Sequence, residues 1–331
     1  MPTSNPAALV YPSRVPAHYR SRIDGADPQD PLHLQTIPQT AELCFDPREM
    51  SDPIGDDRHS PCPHLVHRYP DRVLLIPTHA CAIHCRYCFR KEKLASSPKA
   101  FPFSDLLPAF DYIRKHTEIT EVILTGGDPL LLPDKTLGLL RSTVEDIPHL
   151  RALRIHTRMP IVSPKRITPR LVRALSGKLL VTFVTHANHV RELCAETKTA
   201  AELLRRAAFV LLNQTVLLKG VNDDADTLAT LFQELFYSHG IKPYYLHHCD
   251  LTRGLLHFRT SIDCGLRIME TLRGRLSGVC LPQYVLDLPG GHGKIPLCPP
   301  YIHARKGFAW TFRSPTGVLC DYEEVIPENP P

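Results

Sequence analysis

A chain of 331 residues with 39 Lys and Arg against 34 Asp and Glu carries a formal charge of +5, and 43% of it is hydrophobic. That is material for one large domain or two small ones with a sizeable core, which excludes a mainly disordered chain. No apolar run reaches the roughly 20 residues of a membrane span, Met1–Arg20 has no apolar export segment, and like charges are nowhere massed, so a cytoplasmic small-molecule protein without nucleic-acid or membrane partners is expected.

Residues 1–70 are rich in Pro, Asp and His, as in "SRIDGADPQDP" and "MSDPIGDDRHSPCP", and lack a sustained helical or strand period. They read as an irregular arm laid over the domain. From Arg72 short apolar runs alternate with amphipathic segments. The runs Val73–Ile76, Glu121–Thr125, Leu153–Thr157, Leu180–Thr185, Val210–Leu217 and Tyr244–His247 predict strands. The segments Asp105–His116, Asp134–Ile147, Thr168–Leu175, Glu192–Ala208, Ala225–His239 and Ile262–Arg273 predict helices, with Asp105, Asp134 and Thr168 of the residue type that caps them. Six β-then-α units whose strands are apolar on both faces imply an α/β fold on a parallel sheet, either doubly wound or a barrel, with its chemistry at the carboxyl ends of the strands. A β-like stretch at Tyr284–Leu288, a Gly-rich loop and a β-like tail at Gly307–Tyr322 close the chain. The resulting division is an arm (1–70), a core (71–275) and a carboxyl-terminal extension (276–331).

Directly after the first run stands "THACAIHCRYCFRK", which sets Cys81, Cys85 and Cys88 in a C-x3-C-x2-C loop. The eleven cysteines are odd in number and unevenly spaced, which argues for ligands or buried thiols over disulfides. A structural zinc site wants four ligands, usually as two separated pairs, and no second Cys-x2-Cys pair follows. Three thiolates on a [4Fe-4S] cluster would leave one iron open. Zinc completed by His79 or His84, or simple buried thiols, are the other readings. Near the end, "LDLPGGHGKIPL" carries Lys294 on a Gly-rich turn. A partly desolvated lysine can form a Schiff base with an aldehyde cofactor, whereas a solvated turn lysine does nothing.

The cysteine spacing, with aromatic Tyr87 before the third cysteine, resembles the radical S-adenosylmethionine superfamily, as does "LTGGDPL" after the second run. The ordered series "HRYPDRVLL", the triad, "GGDPL", "RIHTRMPIVSPKRIT", "NQTVLLKGVND", "CDLTRGLLHFRT" and "DLPGGHGK" resembles the lysine 2,3-aminomutases over about residues 15–325. The resemblance implies a partial (β/α)6 barrel, a [4Fe-4S] cluster on the three cysteines, S-adenosylmethionine and pyridoxal 5′-phosphate. It puts Gly126, Gly127 and Asp128 at the methionine amino group, Tyr87 beside the adenine, and His186 and Gln214 near S-adenosylmethionine. It puts pyridoxal phosphate on Lys294, with Arg68 and Arg72 near the phosphate, and makes Arg90 the clamp for the substrate carboxylate. Asp250 and Asp287 match the family's binders of the lysine ε-ammonium, and two converging carboxylates do call for a cation between them. The bland alternatives are solvated surface arginines, and aspartates that cap a turn or pair with an arginine.

The implied reaction converts L-lysine to β-lysine. A 5′-deoxyadenosyl radical takes hydrogen from C3, the amino group migrates, and the hydrogen returns. L-Arginine or another amino acid is the alternative substrate, β-lysine for another pathway the alternative destination, and a zinc-binding structural protein the alternative that is not an enzyme. An external reductant such as flavodoxin or ferredoxin is implied. Phe89, Lys91, His247, His248 and His292 depart from the clostridial-type pattern, and the extensions that bind structural zinc in the larger aminomutases are not found. "CRYCFR" is similar to the branch that supplies (R)-β-lysine for elongation factor P, which implies a functional link to that factor's ligase. This chain keeps the paired acids that the best-studied members of that branch lack.

Overall fold

A computed structural model describes residues 7, 10–44, 46–96 and 100–324; the remaining stretches of the expected arm, core and tail lie outside the described residues. Its main sheet has nine strands: β1 (Leu65–Tyr69), β2 (Arg72–Thr78), β3 (Glu121–Gly126), β4 (Ala152–His156), β5 (Leu180–Thr185), β6 (Val210–Leu217), β7 (Lys242–His248), β8 (Gln283–Asp287) and β9 (Lys294–Pro296). They lie side by side in chain order, β2 to β8 parallel, with β1 and β9 antiparallel at the two edges.

That order decides between the two architectures the sequence left open. A doubly wound sheet reverses its strand order at a switch point, so that helices cover both faces. Here the order never reverses. With right-handed crossovers, every helix then falls on one side and the sheet curls around the other. The edges β1 and β9 do not pair with each other, so the result is a partial barrel.

Burial along the strands follows from this curvature. In β6 the odd-numbered positions Leu211, Asn213, Thr215 and Leu217 are buried, while Leu212, Gln214 and Val216 alternate with them and are only partly so. Gln214 and Val216 face the barrel interior, which is a cavity rather than packed core. The outer faces of Leu75, Val122, Leu124, Leu153, Ile155, Val181, Phe183 and Leu246 pack with the helices into the main hydrophobic cluster. Each such side chain contributes about 1.5–3 kcal/mol by burial.

The expected core strands and helices form near their predicted ends, with informative exceptions. Thr168 caps the helix Pro169–Leu175 by accepting from Leu171 N at 3.2 Å. Asp134 does not cap: it is the first residue of the helix Asp134–Glu145, behind Pro133, and pairs with Arg166 at 2.7 Å. Asp105 sits inside a 3-10 turn, Phe103–Leu106, which precedes the helix Leu107–Lys115. The helix from Ala225 ends at Gln233 and continues as a π turn through Ser238.

The arm is less irregular than its composition suggests. It forms short helices at Ala17–Arg20 and Pro31–Thr36, the second capped by Asp30, and it ends in β1, which pairs with β2. Beyond β9 a separate three-stranded antiparallel sheet, β10 (Ile302–Lys306), β11 (Ala309–Arg313) and β12 (Leu319–Glu323), forms the tail. Among the described residues, no helix is long and apolar enough to cross a membrane.

Candidate active site

The cysteine loop leaves the carboxyl end of β2 and is held from both sides. On one side the turn after β3 grips its start: Gly127 N donates to Thr78 O at 2.7 Å and Asp128 N to Ala80 O at 2.8 Å. Only glycine allows this approach, since a Cβ at Gly127 would lie 2.6 Å from the carbonyl carbon of His79, and Gly126 has φ +99°. On the other side the arm holds it. His84 N donates to Arg14 O at 2.9 Å, Arg86 N donates to Gln35 O at 2.8 Å, and the buried Arg86 guanidinium forks onto Glu42 at 2.9 and 2.6 Å.

Burial pushes the Cys81 thiol far up and Cys88 up to about 11, so these two thiols are protonated in the metal-free chain. Among the described residues no three His, Cys, Asp or Glu side chains close on one point as a mononuclear site requires. All three cysteines nevertheless line the same cavity, where a multi-iron cluster has room. Arg158, buried, donates from Nη1 to Cys85 Sγ at 2.9 Å and from Nη2 to Glu192 at 2.5 Å and Gln35 at 3.1 Å.

Asp128 is buried with both oxygens engaged: Oδ1 accepts from Thr157 Oγ1 at 2.7 Å and Leu130 N at 3.1 Å, and Oδ2 from Arg158 N at 2.8 Å. It thus braces the loop after β4 against the loop after β3. Gln214 Nε2 stands 3.2 Å from His186 Nε2. Burial, aided by the Arg158 charge, lowers His186 to about 3, so its ring is neutral. Tyr87 Oη, His156 Nε2 and His247 Nε2 are buried, line the cavity and have no hydrogen-bond partner among the described residues. Such atoms fit a polar ligand that brings its own donors and acceptors.

Lys294 owes its place to a hairpin. β8 turns through three glycines with positive φ, Gly290, Gly291 and Gly293, and returns as β9 in the register that sets Asp287 directly opposite Lys294. The Lys294 ammonium contacts Asp287 Oδ2 and lies 3.3 Å from His247 Nδ1, while its backbone N donates to Tyr69 Oη at 2.8 Å. Burial would raise Asp287, but the nearby His247 ring, 3.6 Å away, and the Lys294 charge outweigh it and hold this carboxyl well below the usual range. Burial and the Lys294 charge lower His247 to about 4.

Asp250, two residues beyond β7, behaves in the opposite way. Burial first, and the Asp287 charge second, push it up to about 7. The cation expected between the two acids is thus already present for Asp287, as Lys294. Asp250 has no ion pair among the described residues.

The three arginines have protein partners. Arg68 donates to Ile54 O at 2.9 Å and approaches Asp287 at 3.6 Å. Arg72 pairs with Asp71 at 2.6 Å and lies 3.9 Å from the Tyr69 ring centroid. Arg90 is bound by Asp56 of the arm.

One cavity of about 620 Å3 is lined by every candidate: Arg68, Arg72, Cys81, Cys85, Tyr87, Cys88, Arg90, Gly126, Gly127, Asp128, His186, Gln214, Asp250, Asp287 and Lys294. Sequence reasoning did not single out Arg158, His156 or Tyr245, whose ring centroid is 5.3 Å from Lys294 Nζ. Arg158 was findable, because it stands two residues past β4, at the carboxyl end where chemistry gathers. Tyr245 gave no such signal, being the second of two adjacent tyrosines within a strand run.

The Radical SAM superfamily profile matches residues 75–232, and a second profile, Lysine-2,3-aminomutase, matches residues 269–330. L-lysine 2,3-aminomutase of Clostridium subterminale is 41% identical over 96% of this chain and 76% of its own length. L-lysine 2,3-aminomutase of Escherichia coli is 38% identical over 88% of this chain and 84% of its own. Glutamate 2,3-aminomutase of Clostridioides difficile is 39% identical over 87% and 68%.

Proposed function

Because the chain belongs to the lysine 2,3-aminomutase family of radical S-adenosylmethionine enzymes, we propose that it moves the α-amino group of L-lysine to C3, giving β-lysine. Relatives named for lysine and for glutamate stand at similar identity, so overall likeness does not choose the substrate. Asp250 chooses it. A carboxyl without an ion pair among the described residues, raised to about 7 and lining the cavity beside Asp287, is stabilised by a guest ammonium and repels a guest carboxylate. A glutamate side chain would bring a third negative charge to that wall.

When bound, a [4Fe-4S] cluster would relay a low-potential electron, S-adenosylmethionine would supply a hydrogen-abstracting fragment, and pyridoxal phosphate would supply an aldehyde that holds the migrating nitrogen. Cys81, Cys85 and Cys88 would hold the cluster, and Gly126, Gly127 and Asp128 fix the loop that would border S-adenosylmethionine. Tyr87, His186 and Gln214 line the wall for its nucleoside. Arg68 and Arg72 suit the phosphate dianion, to which guanidinium forks bind well. Arg90 takes the substrate α-carboxylate, and Asp250 with Asp287 takes the far end. A substrate fixed at both ends keeps C3 at one position while the barrel excludes water.

The electron comes from an external reductant such as flavodoxin or ferredoxin. On the likeness of Cys85–Arg90 to the elongation factor P branch, the product is assigned as (R)-β-lysine for that factor's ligase. Deleting the gene should then abolish the β-lysyl mass on elongation factor P. The activity itself is tested by offering anaerobically reconstituted protein L-lysine, L-arginine and L-glutamate separately, with S-adenosylmethionine and reductant. Turnover of lysine alone supports the reading, and turnover of glutamate but not lysine overturns it.

A further inference from the structure

Asp56 belongs to the arm, 34 positions before Arg90, yet its carboxylate is buried against that arginine; the two side chains are 6% and 11% exposed. Both contacts fall on one oxygen. Asp56 Oδ2 accepts from Arg90 Nε at 3.0 Å and from Nη2 at 2.7 Å. A guanidinium has a side edge, Nε with Nη2, and an end fork, Nη1 with Nη2. Asp56 occupies the side edge. Nη1 makes no hydrogen bond among the described residues, and Arg90 lines the cavity with its guanidinium carbon 4.3 Å from the Phe89 ring centroid.

The loop that carries Asp56 is itself fixed. Asp56 N donates to Asp52 Oδ1 at 3.0 Å, and Ser60 Oγ donates to Asp56 O at 2.8 Å. The same loop accepts from Gly290 N at Pro53 O, 3.2 Å, and from Arg68 Nη1 at Ile54 O, 2.9 Å. Gly55 lies so close to the Lys294 turn that a Cβ there would be 2.8 Å from Gly290 C. One arm loop therefore touches Arg90, Arg68 and the turn that leads to Lys294.

We infer that Asp56 is the positioning residue of the carboxylate clamp: by holding the side edge of Arg90 it turns the end fork toward the cavity, where a substrate carboxylate binds it bidentately. The inference rests on the proposed role of Arg90 as that clamp. The opposite arrangement, in which Asp56 plugs Arg90 and must leave before substrate enters, makes the contrary prediction for binding.

The test is equilibrium binding of L-lysine and of its carboxamide to anaerobic holoenzyme, read from the visible band of the lysine-bound aldehyde cofactor. In Asp56→Asn the preference for L-lysine over the carboxamide should fall about tenfold, with carboxamide binding unchanged, because only the charged ligand uses the fork. Asp56→Glu should restore part of the preference, which a merely structural disturbance would not allow. An unchanged preference in Asp56→Asn, or tighter L-lysine binding, overturns the inference. If Asp56→Asn does not fold, Asp56→Ser carries the same comparison. Arg90→Gln separates the two claims: if it keeps the preference, Arg90 is not the clamp, whereas its loss alongside an unaffected Asp56→Asn refutes Asp56 alone.

Discussion

Asp250 and Asp287 line the same cavity, but among the described residues only Asp287 has cations at its carboxylate, the Lys294 ammonium in contact and Arg68 at 3.6 Å. The asymmetry splits two chemically identical groups. Asp287 is held ionised, and Asp250 is raised to about 7 by burial and by its neighbour.

A pH dependence follows. A guest ammonium favours ionised Asp250, so L-lysine should bind more weakly as pH falls. The inflection should lie at or above about 7, because the Lys294 charge that lowers Asp250 is lost when the cofactor is carried there, and Asp250→Asn should flatten that slope while weakening binding overall. Stability has the opposite sense. The unfolded carboxyl loses its proton near its ordinary value and the folded one only near 7, so this group's ionisation increasingly disfavours the substrate-free fold as pH rises between those values. Asp250→Asn should therefore gain on the order of 2–4 kcal/mol over the parent above pH ~8 in denaturant melts. An equal gain at pH ~4 would refute the assignment.

Arg158 Nη1 donates to Cys85 Sγ at 2.9 Å. With Cys85 as the proposed cluster ligand, a cationic hydrogen bond to its sulfur would favour the reduced, more negative cluster. Arg158→Lys retains the charge opposite Glu192 but loses the fork. It should lower the reduced-to-oxidised ratio at a fixed poise about tenfold, a fall of about 59 mV for one electron. An EPR-monitored redox titration reads this directly, and an unmoved midpoint with full iron content would count against it.

Lys294→Ala removes the amine but no cysteine. The protein should keep its iron and lose the visible band of the lysine-bound aldehyde cofactor. An intact band in this variant would take Lys294 out of the site.

Gly127→Ala should loosen the cysteine loop rather than touch a ligand. The new Cβ meets backbone atoms of His79 and Ala80, which cannot swing aside. Overpacking of this kind costs about 1–3 kcal/mol, and reconstitution should retain less iron than the parent. Full iron content at unchanged stability would show that the turn yields.

The strands were legible because a curled parallel sheet covered by helices needs apolar runs of the observed length, and Leu180–Thr185 and Val210–Leu217 have the ends the sequence indicates. Barrel against open sheet was not legible locally, since it depends on strand order. The cap at Thr168 formed, whereas the proline before Asp134 took the capping position and left that aspartate to an arginine. Most motif residues came together because they lie at strand ends, in the loops that follow them or beside the β8–β9 turn, while Arg68 and Gln214 reach the cavity from within β1 and β6. What stayed hidden was partnership: that Lys294 serves as the cation for Asp287, and that the composition-poor arm supplies Asp56 to Arg90, are contacts across 7 and 34 positions.

The central claim is that the triad and Lys294 serve one substrate in one cavity. The most direct measurement uses L-lysine deuterated at C3 with anaerobically reconstituted protein, S-adenosylmethionine and reductant, followed by mass analysis of the nucleoside and amino acid products. Deuterium in 5′-deoxyadenosine and in β-lysine is the result expected. Unlabelled 5′-deoxyadenosine, formed with no β-lysine, would contradict it.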